Sequence, residues 1–128
     1  MTVEELEAKT AAALAANESF YQAFNQKDPE YMARVWAVKA DVTCIHPGWN
    51  VLSGREMVIQ SWTSILNNPG QPRIVIGGAT VSFFGDVALV FCRELVAGSP
   101  LIATNLLVLE DGEWRMVHHQ SGPVYAAG

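Results

Sequence analysis

The sequence predicts an α+β fold, N-terminal helices followed by an antiparallel meander, in the order α-α-β-α-β-β-β-β. Three observations predict it. Up to Leu66 the apolar residues recur at helical spacing behind cap signals. From Arg73 onward the pattern is all strand. Gly85-Asp86 and Asp111-Gly112 are tight-turn signals that fold those strands into a meander. Helices followed by strands mark α+β rather than alternating α/β. A chain of 128 residues is read as a single domain over 1–128.

Thr2-Val3-Glu4-Glu5 is a capping box, opening a helix to about Gln26. Leu6, Ala13, Leu14, Phe20, Tyr21 and Phe24 form its buried stripe. Asp28 as N-cap and Pro29 at the first helical position start a second helix with Met32, Val35 and Trp36 inside. Residues 41–46 read as a strand stopped by Pro47-Gly48. Ser53-Gly54-Arg55-Glu56 reads as a second capping box, opening a helix to Leu66 with Val58, Ile59, Trp62, Ile65 and Leu66 on its stripe. The remaining strands are expected at 73–84, 87–96, 101–109 and 113–120, with Gly77-Gly78 marking a bulge.

Tight turns set register, and register decides which side chains share a face. A two-residue turn at Asp111-Gly112 pairs Glu110 with Glu113, and Leu107 with Met116, and carries Asn105 opposite His118. The loop 97–100 pairs Val96 with Leu101. One face then carries Ala88, Val90, Cys92, Ala103, Leu107 and Met116, apolar except for Glu94, Asn105 and His118. The other carries Phe84, Phe91, Leu95, Ile102, Leu106 and His119, too apolar for water. A homodimer through this sheet face is the expected cover.

Half the residues are hydrophobic and 16% are charged, yet no apolar run reaches the roughly 20 residues of a membrane span. The acidic, Ala-rich N-terminus lacks a secretory pattern, so a cytoplasmic location is expected. The net charge is −5 and the eight basic residues are scattered, which argues against nucleic acid as a partner. Cys44 and Cys92 lie in strand-like stretches and read as reduced core thiols. Adjacent strand residues such as His118 and His119 point to opposite faces, and no Cys-x-x-Cys or His-x-His spacing exists, so no metal site is expected. With no Gly-rich phosphate loop or nucleophile elbow, no cofactor is expected either.

Glu94, Asn105 and His118 are the candidate site. On an apolar face, burial raises a carboxylate's pKa and lowers an imidazole's, which suits acid/base work. The same residues also fit a structural polar network in a core. His46, at a strand end, is placed to line a cavity mouth with Trp49 as its wall, or to cap local backbone. His119, beside Thr104, is expected at the subunit interface.

"HPGW" at 46–49, "LSGREMVIQSW" at 52–62, "ATN" at 103–105 and "WRMVHHQSGP" at 114–123 resemble SnoaL-like domains of the nuclear-transport-factor-2-like superfamily. The ending also resembles the association domain of calcium/calmodulin-dependent kinase II. The resemblance implies a cone-shaped fold, a curved antiparallel sheet wrapped around the N-terminal helices, with a cavity at the wide end and, commonly, a homodimer through the sheet. Members include polyketide cyclases, dehydratases, ketosteroid isomerases and non-catalytic assembly modules. The isomerases' acidic base and Tyr/Asp oxyanion pair have no residue-by-residue match here, though Tyr21 and Tyr31 lie within reach of such a cavity. The expected function is binding of a small apolar or carbonyl-bearing ligand, extending to cofactor-free acid/base conversion. His118 would be the acid/base group, Glu94 its partner or base, and Asn105, His46, Trp49 and Tyr21 ligand-binding. The alternative is a non-catalytic association module.

Overall fold

The computed structural model describes residues 1–125. Helix α1 (Val3–Asn25) starts on the expected capping box: Thr2 Oγ1 accepts from the Glu5 N–H at 3.0 Å while the Glu5 carboxylate accepts from the Thr2 N–H at 3.4 Å. Ala13, Phe20, Tyr21 and Phe24 are buried, and so is Asn17, a polar residue on the same stripe. Leu6 is 47% exposed, in opening turns that touch little else. Helix α2 (Pro29–Val35) is capped by Asp28, which accepts from the Tyr31 N–H at 3.1 Å.

The second capping box does not form. Ser53 belongs to a short strand β2 (Leu52–Ser53) that pairs with β1 (Thr43–Ile45), and Gly54 opens α3 (Arg55–Leu66) with φ +94° and no side-chain cap. Strand pairing takes Ser53, and only glycine accepts that backbone angle without strain. Arg55 then ties α3 to α2, donating to the carbonyls of Ala33, Trp36 and Ala37 at 2.7, 3.0 and 2.9 Å. Those are the carbonyls left open where α2 ends.

Strands β3 (Ile74–Phe84), β4 (Val87–Val96), β5 (Ser99–Glu110) and β6 (Glu113–Pro123) make the meander. The six-stranded sheet runs β2-β1-β6-β5-β4-β3. It is mixed rather than wholly antiparallel, because β1 lies parallel to β6. Phe84 pairs with Val87 and Glu110 with Glu113, as the turn signals predict. At the β4–β5 turn Val96 pairs with Ser99, not Leu101, because Ala97 (φ +48°) and Gly98 (φ +82°) make a two-residue turn. That change is a shift by two, so every side chain keeps its face. The expected bulge is present between Gly77 and Thr80.

A second bulge reverses part of the face assignment. Leu107 pairs with Met116, but Leu106 pairs with His118, so Val117 is extra on β6. Beyond it Asn105 pairs with His119 rather than His118. The one-residue slip sends His119 inward and His118 outward. The parallel neighbour holds this arrangement: Thr43 pairs with His118, and Thr43 Oγ1 lies 2.7 Å from His118 Nδ1.

The helices cover one sheet face. Phe20, Met32, Trp36, Val58 and Trp62 pack there against Ala88, Val90, Cys92, Leu107 and Met116, all buried. The other face leaves Phe84, Phe91, Leu95 and Ile102 at 64%, 45%, 47% and 42% exposure. No helix among the described residues is long and apolar enough to cross a membrane.

Candidate functional site

Where α1, α3 and the ends of β4, β5 and β6 diverge, they leave a pocket of about 470 Å³. Its walls are mainly apolar: Phe24, Trp49, Trp62, Ile65, Ile74, Val96 and Leu101. Asn25 holds its rim, since the Asn25 amide both donates to the Ile74 carbonyl and accepts from the Ile74 N–H at 2.8 Å. This pins the start of β3 to the end of α1. The polar groups of the inner wall are Glu94, Ser121, His119 and His46.

Glu94 sits on β4, 3% exposed. Ser121 Oγ donates to its Oε1 at 2.5 Å and Tyr21 OH to its Oε2 at 2.6 Å. Burial raises the Glu94 pKa, and the two hydroxyl bonds pull it back down. The Tyr21 proton is committed to this carboxylate. Burial and the Glu94 charge hold the Tyr21 phenol well above the usual tyrosine range.

The bonding continues inward. The Asn105 amide donates to Tyr21 OH at 3.1 Å and to Asn17 Oδ1 at 2.8 Å. Both amide protons are then used, so the remaining Asn105 oxygen accepts from His119 Nδ1 at 2.6 Å. His119 is therefore the Nδ1–H tautomer, and Nε2 is the nitrogen left with a lone pair. Burial, then the neighbouring His46 and His118, lowers its pKa to about 3. His46 follows the same logic. Ser61 Oγ gives its proton to the Val58 carbonyl at 2.7 Å, so it accepts from His46 Nε2 at 2.9 Å. Burial lowers the His46 pKa to about 4. Both rings are neutral at pH 7 and belong to one aromatic cluster: His46 meets Trp62 and Trp49 edge-on with centroids 4.6 and 4.7 Å away, and His119 lies tilted 4.8 Å from Phe20.

Of the residues expected to form the site, Glu94, His46 and Trp49 line the pocket. Trp49 is a half-exposed wall, as expected of a mouth residue. Tyr21 and Asn105 stand directly behind the wall, bonded to residues that line it. His118 is the correction: it is absent from the pocket, half-buried, and turned toward Thr43. His119, expected at a subunit interface, takes its place with 3% exposure. The Val117 bulge made this difference, and a local sequence pattern carries no bulge signal there. Ser121 was missed for the same reason. Trp62 and Phe24, read as core, are core residues whose outer edges form the pocket wall. Among the described residues no group of three or more His, Cys, Asp or Glu is placed to hold a metal ion.

The SnoaL-like domain family model matches residues 13–126. An NTF2-like protein from Streptomyces avermitilis, described as a candidate dehydratase, superposes with a TM-score of 0.87 at 30% identity, covering 94% of this chain and 99% of that one. A candidate calcium/calmodulin-dependent protein kinase type II association domain from Thiobacillus denitrificans superposes with a TM-score of 0.77 at 31% identity, over 87% and 94% of the two chains. An F-box protein of Arabidopsis thaliana, SKIP8, is 31% identical over 120 residues, which is 92% of this chain. The chain spans about half, 52%, of that curated relative's length.

Proposed function

We propose that this chain, which belongs to the SnoaL-like domain family, binds a small and largely apolar ligand in the pocket above Glu94 and transfers protons there without a cofactor. One observation carries the reading. A buried carboxylate, its pKa raised, opens into a mainly apolar pocket and is held by two hydroxyl donors rather than by a cation. A carboxylate in that setting is basic enough to take a proton and positioned enough to return it. Glu94 takes the acid/base role, and His119 Nε2 offers a second acceptor. Asn105 and Tyr21 hold both in place. The S. avermitilis relative's description as a candidate dehydratase agrees with proton-transfer chemistry.

The test is binding of a neutral apolar dye such as Nile red. One saturable site per chain is expected, weakened at least fivefold by Leu101→Trp, which fills the pocket. No saturable binding would overturn the reading.

The exposed sheet face favours a second reading, that the domain assembles with another copy of itself. Phe91 and Leu95 are nearly half exposed at its middle, an apolar area that water does not favour. The association-domain relative agrees with this reading. A dimer at micromolar concentration is expected, with Phe91→Glu giving monomers by light scattering. A wild-type monomer would refute it. Dye binding that survives Leu101→Trp and is lost in Phe91→Glu would place the apolar site on this face.

A further inference from the structure

The charge of the pocket is one-sided. Among the described residues Glu94 is the single charged side chain on its walls, with no lysine or arginine beside it. Its immediate bonding partners, Ser121 and Tyr21, are neutral. The polar atoms left for a ligand at the inner wall are acceptors. They are the Glu94 carboxylate and His119 Nε2, whereas His46 Nδ1 has the Cys44 thiol at 4.0 Å. The hydroxyl protons of Ser121, Tyr21 and Ser61 are spent on Glu94 and on the Val58 carbonyl. The Trp62 indole N–H is unpartnered but covered by its neighbours, so it does not open into the pocket.

From this we infer that the pocket selects a ligand with an apolar body and a cationic amine, the ammonium meeting the Glu94 carboxylate. The inference rests on the small-molecule-pocket reading and narrows it. A neutral ligand that closed over Glu94 would strip water from a carboxylate that has no counter-ion, a costly step. An ammonium supplies that counter-ion together with its N–H donors. At the inner wall an anionic ligand meets repulsion and no donor; the Gln71 amide and the Ser99 hydroxyl, also on the lining, belong to more exposed residues. A carbonyl held beside Glu94 also lacks a hydroxyl donor, since those of Ser121 and Tyr21 are already engaged.

Three probes that share an indole body separate the charges: tryptamine, tryptophol and indoleacetate, titrated at pH 7.5 by calorimetry with the site located by chemical-shift changes. Tryptamine is expected to bind at least tenfold tighter than indoleacetate, with tryptophol between them. Glu94→Gln should bring the three within about twofold. Leu101 pairs with Glu94 across β4 and β5 and lines the pocket, so Leu101→Lys should cancel the tryptamine preference even if Glu94→Gln does not fold. Indoleacetate binding as tightly as tryptamine to the wild type overturns the inference. So does an unchanged preference in whichever variant folds. Tryptophol binding that shifts His46 and His119 leaves the pocket reading standing in either case. Binding of none of the three overturns both.

Discussion

Between pH 7.5 and pH 5 the folded state should lose about 4 kcal/mol of stability, as two buried neutral histidines resist protonation that the unfolded chain accepts. His46 and His119 have pKa values lowered by burial to about 4 and about 3, against 6.5 for a free imidazole. In the window between those values and 6.5 the unfolded chain binds more protons than the folded one. Stability therefore rises with pH across the window and is lost as pH falls through it. His118, also lowered by burial, acts in the same direction. Glu94 acts in the opposite direction, because a raised carboxylate pKa lets the folded state hold a proton that the unfolded chain has released. A single carboxylate offsets only part of two imidazoles. A domain at the lower end of ordinary stability, about 5 kcal/mol, then stands near its limit at pH 5. Urea unfolding at pH 7.5, 6, 5 and 4 measures this directly. A stability unchanged from pH 7.5 to pH 5 would show that these rings are not neutral members of the core.

Asn105→Ala should cost about 4 kcal/mol and lower Tm by roughly 12 °C. Asn105 is fully buried and bonded to Asn17, Tyr21 and His119 at 2.8, 3.1 and 2.6 Å. Truncation leaves the Asn17 amide oxygen and the His119 Nδ1–H without this partner, and takes one donor from the Tyr21 phenol, which keeps Glu94 and Cys92. Each orphaned buried group costs about 1–3 kcal/mol. The same change releases the His119 ring and removes the amide behind Tyr21, so ligand binding should weaken as well. His118→Ala loses one bond at the sheet surface and should cost under about 1 kcal/mol. Thermal unfolding of both variants decides it. Equal effects, or a larger one for His118, would contradict the placement of the two rings.

These contrasts trace back to what the sequence carries. The Thr2–Glu5 box, the Asp28-Pro29 start, the stripes of the helices and the hairpins at Gly85-Asp86 and Asp111-Gly112 are local features. Each depends on residues within a few positions of one another, and each appears where the sequence places it. The face shared by Glu94, Asn105, Cys92 and Leu107 was legible too, because pleating alternates side chains strictly and a shift of two residues at the β4–β5 turn leaves that alternation intact.

Long-range pairing decided the rest. Strand β1 joins the sheet parallel to β6, through contacts more than seventy residues apart in sequence, such as that of Thr43 with His118. Ser53 pairs in a strand where its neighbours spell a helix cap. Above all, the residue inserted at Val117 turned β6 over, and gave the pocket His119 and Ser121 in place of His118. A bulge is the response of a strand to the curvature imposed by its neighbours, and that curvature is a property of the assembled sheet. Sequence alone therefore determined the three helices, the four-stranded meander, its apolar face and the place of Glu94 on that face. Which of two adjacent histidines stands beside that carboxylate was settled only when the sheet closed over the helices.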